Sequence, residues 1–266
     1  NSFFGAHWGL STDDSVPADY DGDGKTDLAV RRDFDWYILR SSDNTFLAIS
    51  RIRLLSYKPL PADYDGDGKA DTAVYAGNVW QYAPSSNPNI IVQVNSNFTD
   101  QRPLLGDFDG DHKTDITIYR SSGTWEIHFS SGLPDFSLSF SDNSIPVPED
   151  YDGDGKTDIA IFNVSTGMWT IRRSSDISVY FLFFGTSGDI PAPADYDGDG
   201  KADQAVFRPS NGTWYIQQST AGFKAVNWGL AGDLPIPYTY LQARYIGGFR
   251  PSNEGNNPET NQTPIN

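Results

Sequence analysis

The chain has no cysteine and a single methionine among its 266 residues. Without cysteine there can be no disulfide framework, no thiolate nucleophile and no cysteine-type zinc site. Basic residues are scarce too, 19 Lys and Arg against 35 Asp and Glu, for a net charge of −16. Such a surface repels a phosphate backbone, so no nucleic-acid partner is expected. The three histidines, His7, His112 and His128, fall in unrelated contexts. No nucleophile elbow, zinc-protease signature or Ser/His/Asp pattern accompanies them, and no catalytic residues are assigned. No apolar run reaches the roughly 18–20 residues that span a bilayer, and no signal peptide is recognisable. The abrupt start at Asn1 reads as a processed or trimmed form. No stretch of ten residues carries helical periodicity.

Aromatic residues are plentiful, at 14% of the chain, which argues for a packed core despite 25 Gly and 17 Pro. Self-similarity organises the rest. DYDGDGKTD begins at Asp19 and recurs as DYDGDGKAD from Asp63, DFDGDHKTD from Asp107, DYDGDGKTD from Asp150 and DYDGDGKAD from Asp195. The starts are 44, 44, 43 and 45 residues apart. A sixth unit opens normally, since Trp228-Gly229 copies Trp8-Gly9, but Thr239 stands where its acidic loop would begin. Its register resumes at FRPSN, 249–253, which repeats FRPSN at 207–211.

Each unit reads as four strands. A short proline-containing run precedes the loop and suits an edge strand, because proline lacks the ladder donor. After the loop, β-branched residues alternate with a small one (Ala29, Ala73, Thr117, Ala160, Ala205). A Ser/Asn/Gly-rich turn, a Trp-centred strand and a last apolar run follow. Four strands per roughly 44 residues is the period of a propeller blade. The expected fold is therefore all-β: a six-bladed β-propeller of four-stranded antiparallel blades. The N-terminal and C-terminal strands would share the last blade and close the ring, which protects the edge. Residues 1–253 would form this single domain and 254–266 a polar, flexible tail, suggesting a module of a longer protein.

The acidic loop places Asp at positions 1, 3, 5 and 9 and Gly at 4 and 6. Carboxylates two residues apart in a tight turn can converge, while glycine permits positive φ. The seventh residue can offer its carbonyl. An all-oxygen set of this size suits a hard cation, Ca²⁺ rather than Mg²⁺. An EF-hand would need Glu at position 12, but Val30, Val74, Ile118, Ile161 and Val206 stand there, already in strand pattern. Four Asp and one Lys per loop account for −15 of the −16, so the acidity is metal-ligand charge rather than a sign of a basic partner. About five ions per chain are expected. Loop three, with His112 in place of the position-6 glycine, is expected to bind more weakly, and the sixth unit not at all.

These residues resemble the FG-GAP and VCBS-type propeller repeats, including the integrin α-subunit propeller with its D-x-D-x-D-G-x-x-D loops. The resemblance covers 1–253 and implies calcium loops between the first and second strands of each blade, all on one face. Carried over position by position, it implies ligands at Asp19, Asp21, Asp23, the Lys25 carbonyl and Asp27 in loop one. In loop two they are Asp63, Asp65, Asp67, Lys69 and Asp71, and in loop three Asp107, Asp109, Asp111, Lys113 and Asp115. Loop four supplies Asp150, Asp152, Asp154, Lys156 and Asp158, and loop five Asp195, Asp197, Asp199, Lys201 and Asp203. The family works outside the cytosol, so a secreted, cell-surface or periplasmic site is expected, with a protein or glycan partner at the cell surface or in a larger assembly. A non-catalytic binding, adhesion or scaffolding module is the leading reading. A lectin with pockets at blade junctions is the alternative, and a polysaccharide-acting enzyme comes last.

Two further sets invite a functional and a plain reading. Trp36, Trp80, Trp125, Trp169 and Trp214 could stack on sugar rings, but once-per-unit blade packing is favoured, for Trp8 and Trp228 also. Arg31, Arg32, Arg120, Arg208 and Arg250 could form a basic ligand face, but solvated turn positions are favoured.

Overall fold

The computed structural model describes residues 7–50, 52, 58–87, 89–95, 102–140, 144–231, 233 and 235. Every regular element among them is a strand, and no helix is long and apolar enough to cross a membrane. The strands make five four-stranded antiparallel sheets, each in simple chain order. Blade one holds β1 (Asp14–Ser15), β2 (Leu28–Arg32), β3 (Asp35–Leu39) and β4 (Phe46–Ser50). Blade two holds β5 (Lys58–Pro59), β6 (Thr72–Ala76), β7 (Val79–Ala83) and β8 (Val92–Asn95). Blade three has β9 (Arg102–Leu104), β10 (Ile116–Tyr119), β11 (Thr124–His128) and β12 (Phe136–Ser139). Blade four has β13 (Ile145–Pro146), β14 (Ile159–Asn163), β15 (Met168–Arg172) and β16 (Val179–Phe183). Blade five has β17 (Ile190–Pro191), β18 (Gln204–Arg208), β19 (Thr213–Gln218) and β20 (Gly222–Asn227).

The prolines explain the edges. Pro59, Pro103, Pro146 and Pro191 all sit in first strands, which pair on one side only. Second strands carry the small residues, and Ala73, Thr117, Ala160 and Ala205 are fully buried where neighbouring blades approach. The fourth strands of blades one to three alternate half-buried and exposed residues, and those of blades four and five are mostly exposed.

The core lies between blades. Trp36 packs with Val74 and Ala83 of blade two, and Trp80 with Leu105, Ile116 and Ile118 of blade three. Trp125 packs with Ile159 and Ile161 of blade four, and Trp169 with Ala202 and Val206 of blade five. These four indoles are 0–1% exposed, so the packing reading holds for them and none of the four can stack on a sugar, whereas Trp228 is 64% exposed and is not packing of this kind. Trp214, on the blade-five face that no described blade covers, is only half-buried.

The expected six blades are corrected to five. Each blade takes its four strands from one continuous repeat, so no described blade is shared between the termini. Trp8-Gly9 is not a fourth strand. The Trp8 indole N–H donates to the Tyr37 carbonyl, and a Cβ on Gly9 would lie 2.8 Å from Val30, so the pair is the entry to blade one. Trp228 likewise marks the exit from blade five, its carbonyl accepting the Trp214 indole N–H. The remainder of the sixth unit, with Thr239, FRPSN and the tail 254–266, lies outside the described residues.

Removing an indole sealed between two blades leaves a large cavity. Trp125→Ala is expected to cost roughly 3–5 kcal/mol in denaturant unfolding, and Trp214→Ala about half as much or less. Equal losses would show that the fifth face is as well covered as the others.

Candidate metal centres

Each acidic loop joins the first and second strands of its blade, as the resemblance implied. Glycine is needed at its turn: Gly22 and Gly24 sit at φ +80° and +79°, in the left-handed region. His112 adopts φ +66° at the corresponding place, and its N–H still donates to Asp107 Oδ2 at 2.8 Å. Loop three thus keeps the geometry of its neighbours.

Position 9 is the anchor. Asp27, Asp71, Asp115, Asp158 and Asp203 are all fully buried. One oxygen of each accepts the N–H of the position-2 aromatic, at 2.7–2.9 Å. The other accepts a backbone N–H from Ser41, Ser85, Ser130, Ser174 or Ser219, at 2.6–2.8 Å. Position 1 caps the turn, as Asp19 accepts from Gly22 N–H at 2.7 Å and Gly24 N–H at 2.8 Å. In four blades the position-2 ring then meets the blade's indole edge-on, for example Tyr20 against Trp36 at 6.4 Å between centroids.

In loops one to four, carboxylate oxygens of positions 1, 3 and 9 lie within 4.8 Å of one another: Asp19, Asp21 and Asp27 in the first, and their counterparts onward. Loop five differs, gathering Asp195, Asp197 and Asp199 instead. There Asp197 Oδ1 is buried and has no hydrogen-bond partner. Position 5 of the first four loops is not among the gathered carboxylates.

The electrostatics of the bare loops are unfavourable. Burial, reinforced by neighbouring carboxylates, pushes Asp71 up to about 7 and Asp115 and Asp158 up to about 6. Asp203 is raised for the same reasons. Glu149, beside Asp150, is pushed up to about 8 by burial and then by that neighbour.

The loops are also linked in series. Ala70 N–H donates to Asp19 O, Thr114 to Asp63, Thr157 to Asp107 and Ala202 to Asp150, at 2.6–2.7 Å. Each lysine stem lies against the preceding loop's position-4 glycine: a Cβ on Gly22 would stand 3.2 Å from Lys69.

One recurrent element escaped the reading of the sequence. The turn after each third strand lays two hydroxyl residues over the loop. Ser41 Oγ donates to Asp23 at 2.9 Å and Ser42 Oγ to Asp21 at 2.6 Å. Ser85 and Ser86, Ser130 and Ser131, and Ser174 and Ser175 repeat the arrangement. The available signal was a Ser-Ser or Ser-Thr pair 14–16 residues after each position-9 Asp.

An FG-GAP-like repeat family model matches residues 19–74, which hold loops one and two. Loops three and four repeat their contacts, and loop five keeps those of positions 1 and 9. Together with the five four-stranded blades, this match supports an FG-GAP-type repeat propeller. No curated protein matches it. A lectin from Agrocybe aegerita, described for recognition of non-reducing terminal N-acetylglucosamine, superposes on this propeller with a TM-score of 0.58. The two are 16% identical over 87% of this chain and 69% of the lectin. A catalytically inactive virginiamycin B lyase from Staphylococcus aureus, with quinupristin, gives 0.54 at 10% identity, over 86% of this chain and 73% of the lyase. At these identities the likeness is one of fold.

The described turn arginines do not make a free basic face. Arg32 pairs with Asp13 and Arg208 with Asp189 through two bonds each, and Arg120 pairs with Glu126. Arg31 is buried 3.7 Å from Asp14, and Arg250 lies outside the described residues. His128 meets only Asp135, at 2.7 Å, with both exposed.

The pH response of metal-free protein follows from the raised carboxyls. The folded chain holds their protons more tightly than the unfolded chain, so this stabilisation is complete below the ordinary carboxylate range and is lost as pH rises through about 6 to 8. The Arg32 hydrogen bond holds Asp13 low, and it acts below that window. In EDTA the Tm should therefore fall between about pH 5 and pH 8. A rising Tm across that range would contradict the assignment of buried, mutually repelling loop carboxylates.

Proposed function

We propose that this FG-GAP propeller is a calcium-stabilised, non-catalytic binding or scaffolding module that works outside the cytosol. One observation carries the reading: five repeated loops each gather three carboxylates within 4.8 Å, while their position-9 Asp is fully buried. Oxygen-only donors of this number suit Ca²⁺ better than Mg²⁺, which demands tighter geometry and keeps more water. The orphaned Asp197 oxygen fits a cation as its partner. Positions 1, 3, 5 and 9 and the lysine carbonyl of each loop are the proposed ligand set, from Asp19, Asp21, Asp23, Lys25 and Asp27 through to Asp195, Asp197, Asp199, Lys201 and Asp203. A bound ion would supply positive charge where the chain concentrates carboxylates. The chain's own part is to hold those groups in place and to tie β1 to β2. Extracellular calcium sites work at about 10⁻⁴–10⁻³ M, which fits loops this open.

The lectin reading keeps one supporting observation, and it does not lie at the blade junctions. Phe181, Phe183, Phe223 and Trp228 are 60–72% exposed on and after the outer strands of blades four and five. Rings so placed can stack on sugars, and one fold relative is a lectin.

Melting in millimolar Ca²⁺, Mg²⁺ or EDTA, with a metal count by mass spectrometry, tests the calcium reading. About five ions per chain and a calcium-specific rise in Tm are expected. At about 10- to 100-fold excess over Kd each site adds about 1.4–2.7 kcal/mol. Asp71→Asn should remove one ion from the count. No bound metal and no shift would reduce the loops to ordinary turns. A glycan array on the calcium-loaded chain separates a lectin from a protein-binding module.

A further inference from the structure

We infer that the second hydroxyl of each outer turn is a positioning residue that selects which carboxylates of the loop beneath it converge; this rests on the calcium reading above. In blades one to four that residue is serine, and it donates to Oδ2 of the position-3 Asp at 2.5–2.6 Å. In those four loops the gathered oxygens belong to positions 1, 3 and 9. Blade five breaks the pattern at both ends together. Thr220 Oγ1 donates to the position-5 carboxylate, Asp199, and the gathered set becomes Asp195, Asp197 and Asp199. Asp197 Oδ2 instead accepts the backbone N–H groups of Thr220 and Ala221, at 3.3 and 3.0 Å, while its Oδ1 is buried with no partner.

The chemistry explains the correlation. A carboxylate free to rotate presents either oxygen in any direction. A hydroxyl bonded to one oxygen fixes the plane of the group and aims the other oxygen. Partners of this kind, one step out from a metal, set ligand orientation and are worth roughly 10–100-fold in metal affinity. Ser42, Ser86, Ser131 and Ser175 are exposed, so their hydroxyls contribute nothing to the inter-blade core. They also tie the loop between the first two strands to the turn between the last two, so the whole blade shares in holding the site.

The test compares wild type with a chain carrying Ser42→Ala, Ser86→Ala, Ser131→Ala and Ser175→Ala. Both are stripped with chelator and titrated with Ca²⁺ alone by calorimetry. Alanine should raise the mean Kd about tenfold over wild type. A merely structural role would lower the Tm in EDTA and leave the Kd alone. An alanine chain that binds calcium as wild type does overturns the inference. Should wild type take up no calcium, the metal reading falls separately, and amide exchange of the loops in EDTA decides. Faster exchange with alanine than in wild type upholds positioning; equal exchange overturns it. If the fourfold alanine chain does not melt cooperatively, Ser42→Ala is read the same way at its own loop.

Discussion

The structure turns on a carboxylate buried at the ninth position of every acidic loop. Burying an ionised carboxyl is costly unless hydrogen bonds and countercharge meet it. Here Asp27 and its four counterparts receive one backbone N–H from the loop and one from the outer turn, so both sides of the blade converge on one side chain. In four blades the aromatic that supplies the first N–H packs edge-on against the blade's tryptophan, and in blade two the Tyr64 hydroxyl accepts the Trp80 indole N–H. Loop chemistry and core packing are thereby one system. Two hydrogen bonds do not cancel a full charge amid other carboxylates, and the raised Asp71, Asp115 and Asp158 record the remainder.

Around this anchor the molecule is assembled serially. Each blade meets the next through an indole, a backbone bond from position 8 to the preceding position 1, and a lysine stem laid on a glycine. Stability of such an array is approximately a sum of unit and nearest-neighbour terms. A change in one loop therefore reaches the adjacent loop through the backbone. It reaches the next blade through the tryptophan.

The relatives of known structure include a lectin and a lyase, and this breadth is what a shared propeller allows. The sites that distinguish such proteins reside in side chains displayed on the scaffold. In this chain the repeated chemistry sits in the loops, while Arg32, Arg120 and Arg208 are held in ion pairs and the junction tryptophans in packing.

Much was legible in the sequence because a repeat states each structural decision five times. The period, the strand order within a blade, the edge position of the prolines and the loop between the first two strands all follow from local rules of pairing and patterning. The packing role of Trp36, Trp80, Trp125 and Trp169 was legible for the same reason. The blade count was not, because a stretch such as Trp228-Gly229 that echoes a repeat is not thereby a strand. A blade exists only when four strands bond in one sheet, and Trp8-Gly9 proved to be an entry segment. The hydroxyl pairs were visible as letters but not as contacts. Ser42 and Asp21 are 21 residues apart and meet only after the sheet folds its outer turn over the loop. Local sequence chose the elements and the ligand types; the sheet's cross-strand register decided which carboxylates face one another, since that depends on atoms brought together from opposite ends of a blade.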